Sequence, residues 1–137
     1  MEIITQSVKE TKDFGREFST RLTGGEVIAL SGDLGSGKTT FVQGLAEGLG
    51  VERIISPTFI LMRSYKGEKD LYHLDLYRLE GNVSQELESL GVSDFWEKKE
   101  NVVLIEWAEK AREILPKDTI WIKFEYIDDE KRRIILE

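Results

Sequence analysis

A chain of 137 residues with 26 acidic and 19 basic side chains, formal net charge −7, is one domain's worth of polypeptide whose overall field repels polyanions, which disfavours autonomous nucleic-acid binding. It contains no cysteine, which excludes disulfides, thiolate catalysis and thiolate metal sites. Lys9, Glu10, Lys12 and Asp13 interrupt the start before an apolar run can form, and no linker or repeat follows. A single cytoplasmic domain over 1–137 without a membrane span is expected.

Ser7 and Glu10 have the spacing of a reciprocal helix cap, and Val8, Thr11, Phe14, Phe18 and Leu22 recur at three- and four-residue steps. That spacing predicts an amphipathic helix from about Val8 to Leu22, ended by Gly24-Gly25. Glu26-Val27-Ile28-Ala29-Leu30 then reads as a short buried strand. It runs into Gly32-Asp33-Leu34-Gly35-Ser36-Gly37-Lys38-Thr39, which fits G-x-x-x-x-G-K-[ST] at every fixed position. Phe41, Val42, Leu45, Ala46 and Leu49 follow at helical spacing, with Gly50 as the stop. Strand, glycine loop and helix in this order are what a phosphate-binding loop requires. Glycines let the backbone wrap an anion with its N–H groups pointing inward, Lys38 neutralises the β- and γ-phosphates, and the Thr39 hydroxyl holds Mg²⁺. Nucleotide binding is the leading expectation.

Beyond Ile54-Ile55, Ser56-Pro57-Thr58-Phe59 leads into a strand-like stretch from Phe59 to Tyr65, a polar turn at Lys66-Gly67-Glu68-Lys69, and a second strand from Leu71 to Leu76. Together these form an antiparallel hairpin. In its second strand Tyr72, Leu74 and Leu76 share an apolar face, and His73, Asp75 and Tyr77 share the chemically equipped one. A short helix is expected over Gln85 to Leu90. Val102-Val103-Leu104-Ile105 is a buried strand ending in the carboxylate of Glu106. Ala108 to Leu115 suits a helix stopped by Pro116. Ile120, Ile122, Phe124 and Tyr126 alternate as a strand, Asp128-Asp129 makes a turn, and Arg132 to Leu136 returns as the last strand. The fold class is α/β: a P-loop NTPase-like three-layer fold in which helices and antiparallel hairpins flank a mixed sheet.

A phosphate loop works with a strand-end carboxylate that completes the Mg²⁺ shell and a polar group that orients the attacking water. Glu106 and Asp75 are the two candidates, and which of them orients the water stays open. Ser56 and Thr58 carry hydroxyls that sense a γ-phosphate or simply begin a strand; both readings stand. His73, the single histidine, lacks partners for a metal site and reads as a hydrogen-bonded strand residue. Tyr77 and Trp107 adjoin these candidates and suit packing or partner contact. Arg132 and Arg133 read most simply as a solvated hairpin face.

Taken together, Gly-Asp-Leu-Gly-Ser-Gly-Lys-Thr-Thr-Phe at 32 to 41, Ser-Pro-Thr-Phe at 56 to 59, His-Leu-Asp-Leu-Tyr-Arg-Leu at 73 to 79 and Val-Leu-Ile-Glu-Trp at 103 to 107 closely resemble the TsaE (YjeE) family over nearly the whole chain. The resemblance implies a small ATPase of bacterial tRNA threonylcarbamoyladenosine synthesis, weak by itself, acting with the TsaB and TsaD proteins and meeting tRNA only through that complex. It implies that Gly35, Ser36, Gly37, Lys38, Thr39 and Thr40 bind ATP, that Thr39 and Glu106 hold Mg²⁺, that Asp75 is essential near the γ-phosphate, and that Trp107 works beside Glu106. Thr11 and Arg132 match family positions around the nucleotide base. Ala108 stands where the family often has proline, and Ile60 where it has threonine; neither removes a polar group assigned to catalysis. The alternatives are a small-molecule kinase and a nucleotide-gated scaffold without turnover. GTP is disfavoured, because no Asn-Lys-x-Asp motif occurs.

Overall fold

Two apolar runs, Val27-Ile28-Ala29-Leu30 and Val102-Val103-Leu104-Ile105, have no polar residue to turn toward water, so each is buried on both faces. In the computed structural model, which describes residues 1–33, 35–51, 61–96 and 98–137, they lie side by side at the centre of the sheet. The strands are β1 (Glu2–Thr5), β2 (Val27–Ser31), β3 (Met62–Tyr65), β4 (Asp70–Asp75), β5 (Asn101–Glu106), β6 (Ile120–Tyr126) and β7 (Arg132–Leu136). Among the described residues they form one sheet in the order β1-β7-β6-β2-β5-β4-β3. The four central strands β6, β2, β5 and β4 are mutually parallel, while β3 adds antiparallel to β4, β7 to β6 and β1 to β7.

Helices cover both faces. α1 (Val8–Ser19) and α2 (Lys38–Gly48) pack over Ile28, Leu30, Leu104 and Ile122. On the other face α3 (Val83–Ser89) and the 3-10 helices Val92–Phe95 and Ala108–Ile114 cover Val27, Ala29, Val103 and Ile105. Strand alternation has thus divided two continuous apolar runs between two cores, which is the expected three-layer α/β arrangement.

The two helices on the first face meet at glycines. A Cβ at Gly44 would lie 1.9 Å from the Lys12 carbonyl oxygen, and one at Gly15 would lie 2.2 Å from that of Phe41. Backbone rather than flexible side chain is in the way, so a methyl group must drive the helices apart. Gly44→Ala is expected to lower stability by about 1–3 kcal/mol despite alanine's better helix propensity. Urea unfolding checks this, and an unchanged midpoint would contradict so close a contact.

Several element boundaries differ from expectation. α1 ends at Ser19, not Leu22, because the chain tightens there: the Arg21 and Leu22 N–H groups donate to the carbonyls of Phe18 and Ser19, three residues back. Leu22 still packs on the core, which is why its apolar spacing read as helix. β1 has no sequence signal of its own, and it is a strand by virtue of its ladder with β7, from Glu2↔Ile135 to Thr5↔Arg132. The helix expected over Ala108 to Leu115 forms over Ala108–Ile114 as a kinked 3-10 helix, with Ala111 at φ −129°. Its buried residues Ala108 and Ala111 are three apart, the spacing that aligns side chains in a 3-10 turn. The hairpin of β3 and β4 forms as expected from Met62 onward, while the part of that expectation at 59–60 lies outside the described residues. Among the described residues no helix is long and apolar enough to cross a membrane.

Candidate functional site

The parallel strands bring their carboxyl ends to one edge of the sheet, where ligands of open α/β sheets bind. β2 runs from there into the glycine loop and α2. Register then fixes the company: Glu106 at the end of β5 pairs with Leu30 of β2 on one side and with Asp75 of β4 on the other. Both candidate carboxylates therefore stand beside the loop.

Gly37 is the N-cap of α2 and has φ +103°, a conformation that favours glycine. It has no side chain to cap the helix, and the first turn of α2 contains no acidic residue. The N–H groups of that turn are left for an anion, and the helix dipole favours negative charge there. Lys38, 5% exposed, donates from Nζ to the Gly32 carbonyl, and its ammonium lies 4.0 Å from the centre of the Trp107 ring. Burial pushes its pKa below the ordinary lysine value, against the opposing charges of Glu106, Glu109, Asp75 and Asp33 in that order. Among the described residues its direct contacts are one carbonyl and one aromatic face, with the carboxylates acting on it through space.

Asp75 is half-buried, and its Oδ1 accepts from the Tyr77 N–H at 3.0 Å as the chain leaves β4. Glu106 is 5% exposed, with Oε2 2.6 Å from Nε2 of the fully buried His73. Trp107 has φ +58°, the one positive value among the described non-glycine residues. A left-handed non-glycine residue costs about 1–2 kcal/mol, and this one turns the chain so that the indole covers Lys38 and tilts against Tyr77 at 5.1 Å between ring centres. Arg132 approaches from β7. Its guanidinium lies 4.8 Å from the centre of the Tyr126 ring, and its Nη1 donates to the carbonyls of Asp128 and Lys131.

One cavity of about 410 Å³ is lined by Gly35, Gly37, Lys38, Thr39, Thr40, Asp75, Tyr77, Glu106, Trp107 and Arg132, a volume in the range of small-ligand sites. Ten residues singled out from sequence thus converge. Ser36, within the loop, is buried and does not line this cavity. Thr11 lines a narrow adjoining cleft of about 10 Å³ with Val8, Gly37, Thr40, Glu130 and Arg132, and its hydroxyl is 2.6 Å from that of Thr5. Ser56 and Thr58 lie outside the described residues. Arg133 does lie on the hairpin face, ion-paired with Glu2 and Glu125, whereas Arg132 turns to the cavity. Sequence reading overlooked Val8, Glu130 and Tyr126 around the Arg132 side, and the partnership of His73 with Glu106. The last had a signal: strand alternation puts His73 on the same face as Asp75.

The Thr39 hydroxyl and the Glu106 carboxylate are hard oxygen donors on one cavity wall. This set suits Mg²⁺, which is commonly held by one or two protein oxygens together with phosphate and water. Among the described residues no group of three or more His, Cys, Asp or Glu side chains is placed to cage a metal unaided.

A family model described as threonylcarbamoyl adenosine biosynthesis protein TsaE matches residues 5–134. The tRNA threonylcarbamoyladenosine biosynthesis protein TsaE of Bacillus subtilis (strain 168) is 40% identical over 132 residues, covering 95% of this chain and 80% of that protein. The protein of the same name from Nostoc sp. is 47% identical over 114 residues, 80% of this chain and 68% of the relative. The crystal structure of YdiB from Bacillus subtilis superposes with a TM-score of 0.81 at 34% identity, over 99% of this chain and 83% of that one.

Proposed function

The chain belongs to the TsaE family, and from that premise we propose that it is an Mg²⁺-dependent ATPase required for formation of the threonylcarbamoyl group on adenosine 37 of tRNA, acting with TsaB and TsaD. The observation that carries this reading is the meeting of Lys38, Thr39, Asp75 and Glu106, from α2, β4 and β5, around one cavity.

The loop and the first turn of α2 receive the β- and γ-phosphates on their N–H groups. Lys38 leaves the Gly32 carbonyl and the Trp107 face for phosphate oxygens, which compensate its charge far better. Thr39 and Glu106 hold Mg²⁺, which when bound neutralises charge on the γ-phosphate. Asp75 supports hydrolysis from the adjacent strand end. Thr11 and Arg132 flank the base. With a net charge of −7, the chain meets tRNA indirectly, through its protein partners.

Two expectations follow for solution. In a reconstituted mixture of TsaB, TsaD, tRNA and the substrates of modification, this chain should restore threonylcarbamoyladenosine, read by mass spectrometry of digested tRNA, and Lys38→Met should not. Equal restoration by that variant would remove the nucleotide from the function. The second concerns protons. Burial makes free Lys38 lose its proton at lower pH than an ordinary lysine, and phosphate contacts restore the preference for the charged form. Binding of ATP should therefore take up protons at alkaline pH, and affinity should fall as pH rises through the lowered pKa. Calorimetry in buffers of different ionisation enthalpy measures the uptake, which should vanish in Lys38→Met.

A further inference from the structure

His73 is the one histidine of the chain and is fully buried. Its neighbour two positions earlier on the same face of β4, Leu71, is an ordinary core residue. An imidazole in such a place costs about 1–3 kcal/mol for each polar atom left unsatisfied, so an apolar side chain would be the cheaper filling. What the histidine adds among the described residues is one hydrogen bond: its Nε2 lies 2.6 Å from Oε2 of Glu106. Register makes this contact natural, because His73 sits opposite Leu104 and Asp75 opposite Glu106, which leaves His73 and Glu106 as diagonal neighbours on parallel strands.

The ring nitrogens are not equivalent. Nδ1 is buried with no hydrogen-bond partner among the described residues. An orphaned lone pair is tolerated more readily than an orphaned N–H, so the hydrogen-bond network assigns the proton to Nε2, which donates it to the carboxylate. The Glu106 side chain, with three rotatable bonds, is thereby tied at one oxygen. It is paired with His73 and not with the buried ammonium of Lys38, which bonds the Gly32 carbonyl instead.

We propose that His73 is the positioning residue of this site: its Nε2–H holds the Glu106 carboxylate in the orientation that faces the cavity shared with Thr39. The proposal rests on Glu106 being the residue that holds Mg²⁺. Hydrogen bonds of this kind to a metal-binding side chain are typically worth about 10–100-fold in metal affinity or activity, which sets the expected effect.

The test compares His73→Met, which fills the space without a donor, with His73→Gln, whose amide N–H reaches toward the place of Nε2. Both are made in the full chain. The affinity of the chain–ADP complex for Mn²⁺ is read by electron paramagnetic resonance, and kcat and KM for ATP are measured with TsaB and TsaD present. His73→Met should weaken Mn²⁺ binding and lower kcat by about 10–100-fold with little change in KM, and His73→Gln should restore both. A residue that merely packs the core would not show rescue by the amide. If His73→Met does not fold, His73→Asn, whose amide ends short of Glu106, replaces it as the variant lacking the contact. Unchanged Mn²⁺ affinity and kcat without the donor, or His73→Gln as weak as His73→Met, overturns the proposal alone. Absence of Mn²⁺ binding by the wild-type chain with ADP overturns the assignment of Glu106 as well.

Discussion

Glu106→Gln is expected to reduce ATP turnover by about 10²–10³-fold, roughly 3–4 kcal/mol of transition-state stabilisation, while leaving ATP affinity nearly unchanged. The two effects separate because different groups carry them. On the proposed mechanism, affinity comes from the glycine loop, the α2 N-terminus and Lys38, none of which the substitution touches. On the same proposed mechanism, turnover depends on the negative charge that holds Mg²⁺ as charge moves on the γ-phosphate, and an amide lacks that charge. Glutamine is chosen over alanine for a structural reason: its carbonyl oxygen still accepts from His73, so no buried donor is orphaned on β4. Single-turnover hydrolysis beside equilibrium binding of ATP makes the comparison. Turnover close to wild type would remove Glu106 from the chemistry.

Lys38→Met should do the reverse to binding, weakening ATP affinity by at least about 30-fold, or about 2 kcal/mol, as expected for truncating one partner of a desolvated charge pair. The same change should leave the nucleotide-free protein as stable as the wild type or more so. In that state the ammonium is buried, with a carbonyl and an aromatic face as its close partners among the described residues, and a methionine of similar length avoids the desolvation penalty. Loss of affinity without loss of stability is the signature of a residue kept for its ligand. Thermal unfolding with and without ATP reads both at once. A variant that unfolds early and binds ATP normally would show Lys38 to be structural.

Much of this site was legible because its parts are local. The glycine loop, the strand before it and the helix after it are contiguous, and each has its own composition signal. Glu106 was legible as an acid closing an apolar run. The alternation of β4 separated His73 and Asp75 from Tyr72 and Leu74, as found. Long-range pairing was not legible. That Glu106 stands between Leu30 and Asp75 follows from the placement of β5 between β2 and β4, which no local pattern encodes. β1 escaped for the same reason, since four residues carry too little periodicity and only β7 makes them a strand. The helix expected from Ala108 forms, but its 3-10 type was not legible because alanines three apart fit either helix type, and the left-handed Trp107 that starts the segment gives no compositional sign. Arg132 shows the limit most clearly. Its composition reads like that of Arg133, but strand alternation sends the two to opposite faces, and the Tyr126 ring and the Asp128 and Lys131 carbonyls hold Arg132 at the cavity.

Phosphate release from ATP and Mg²⁺ by the purified full chain, alone and with TsaB, TsaD and tRNA, decides whether this cavity hydrolyses ATP in the service of tRNA modification. Slow turnover alone, strong stimulation by the partners and loss of both in Glu106→Gln is the expected result. No turnover in any combination, or turnover indifferent to the partners and to Glu106, would contradict it.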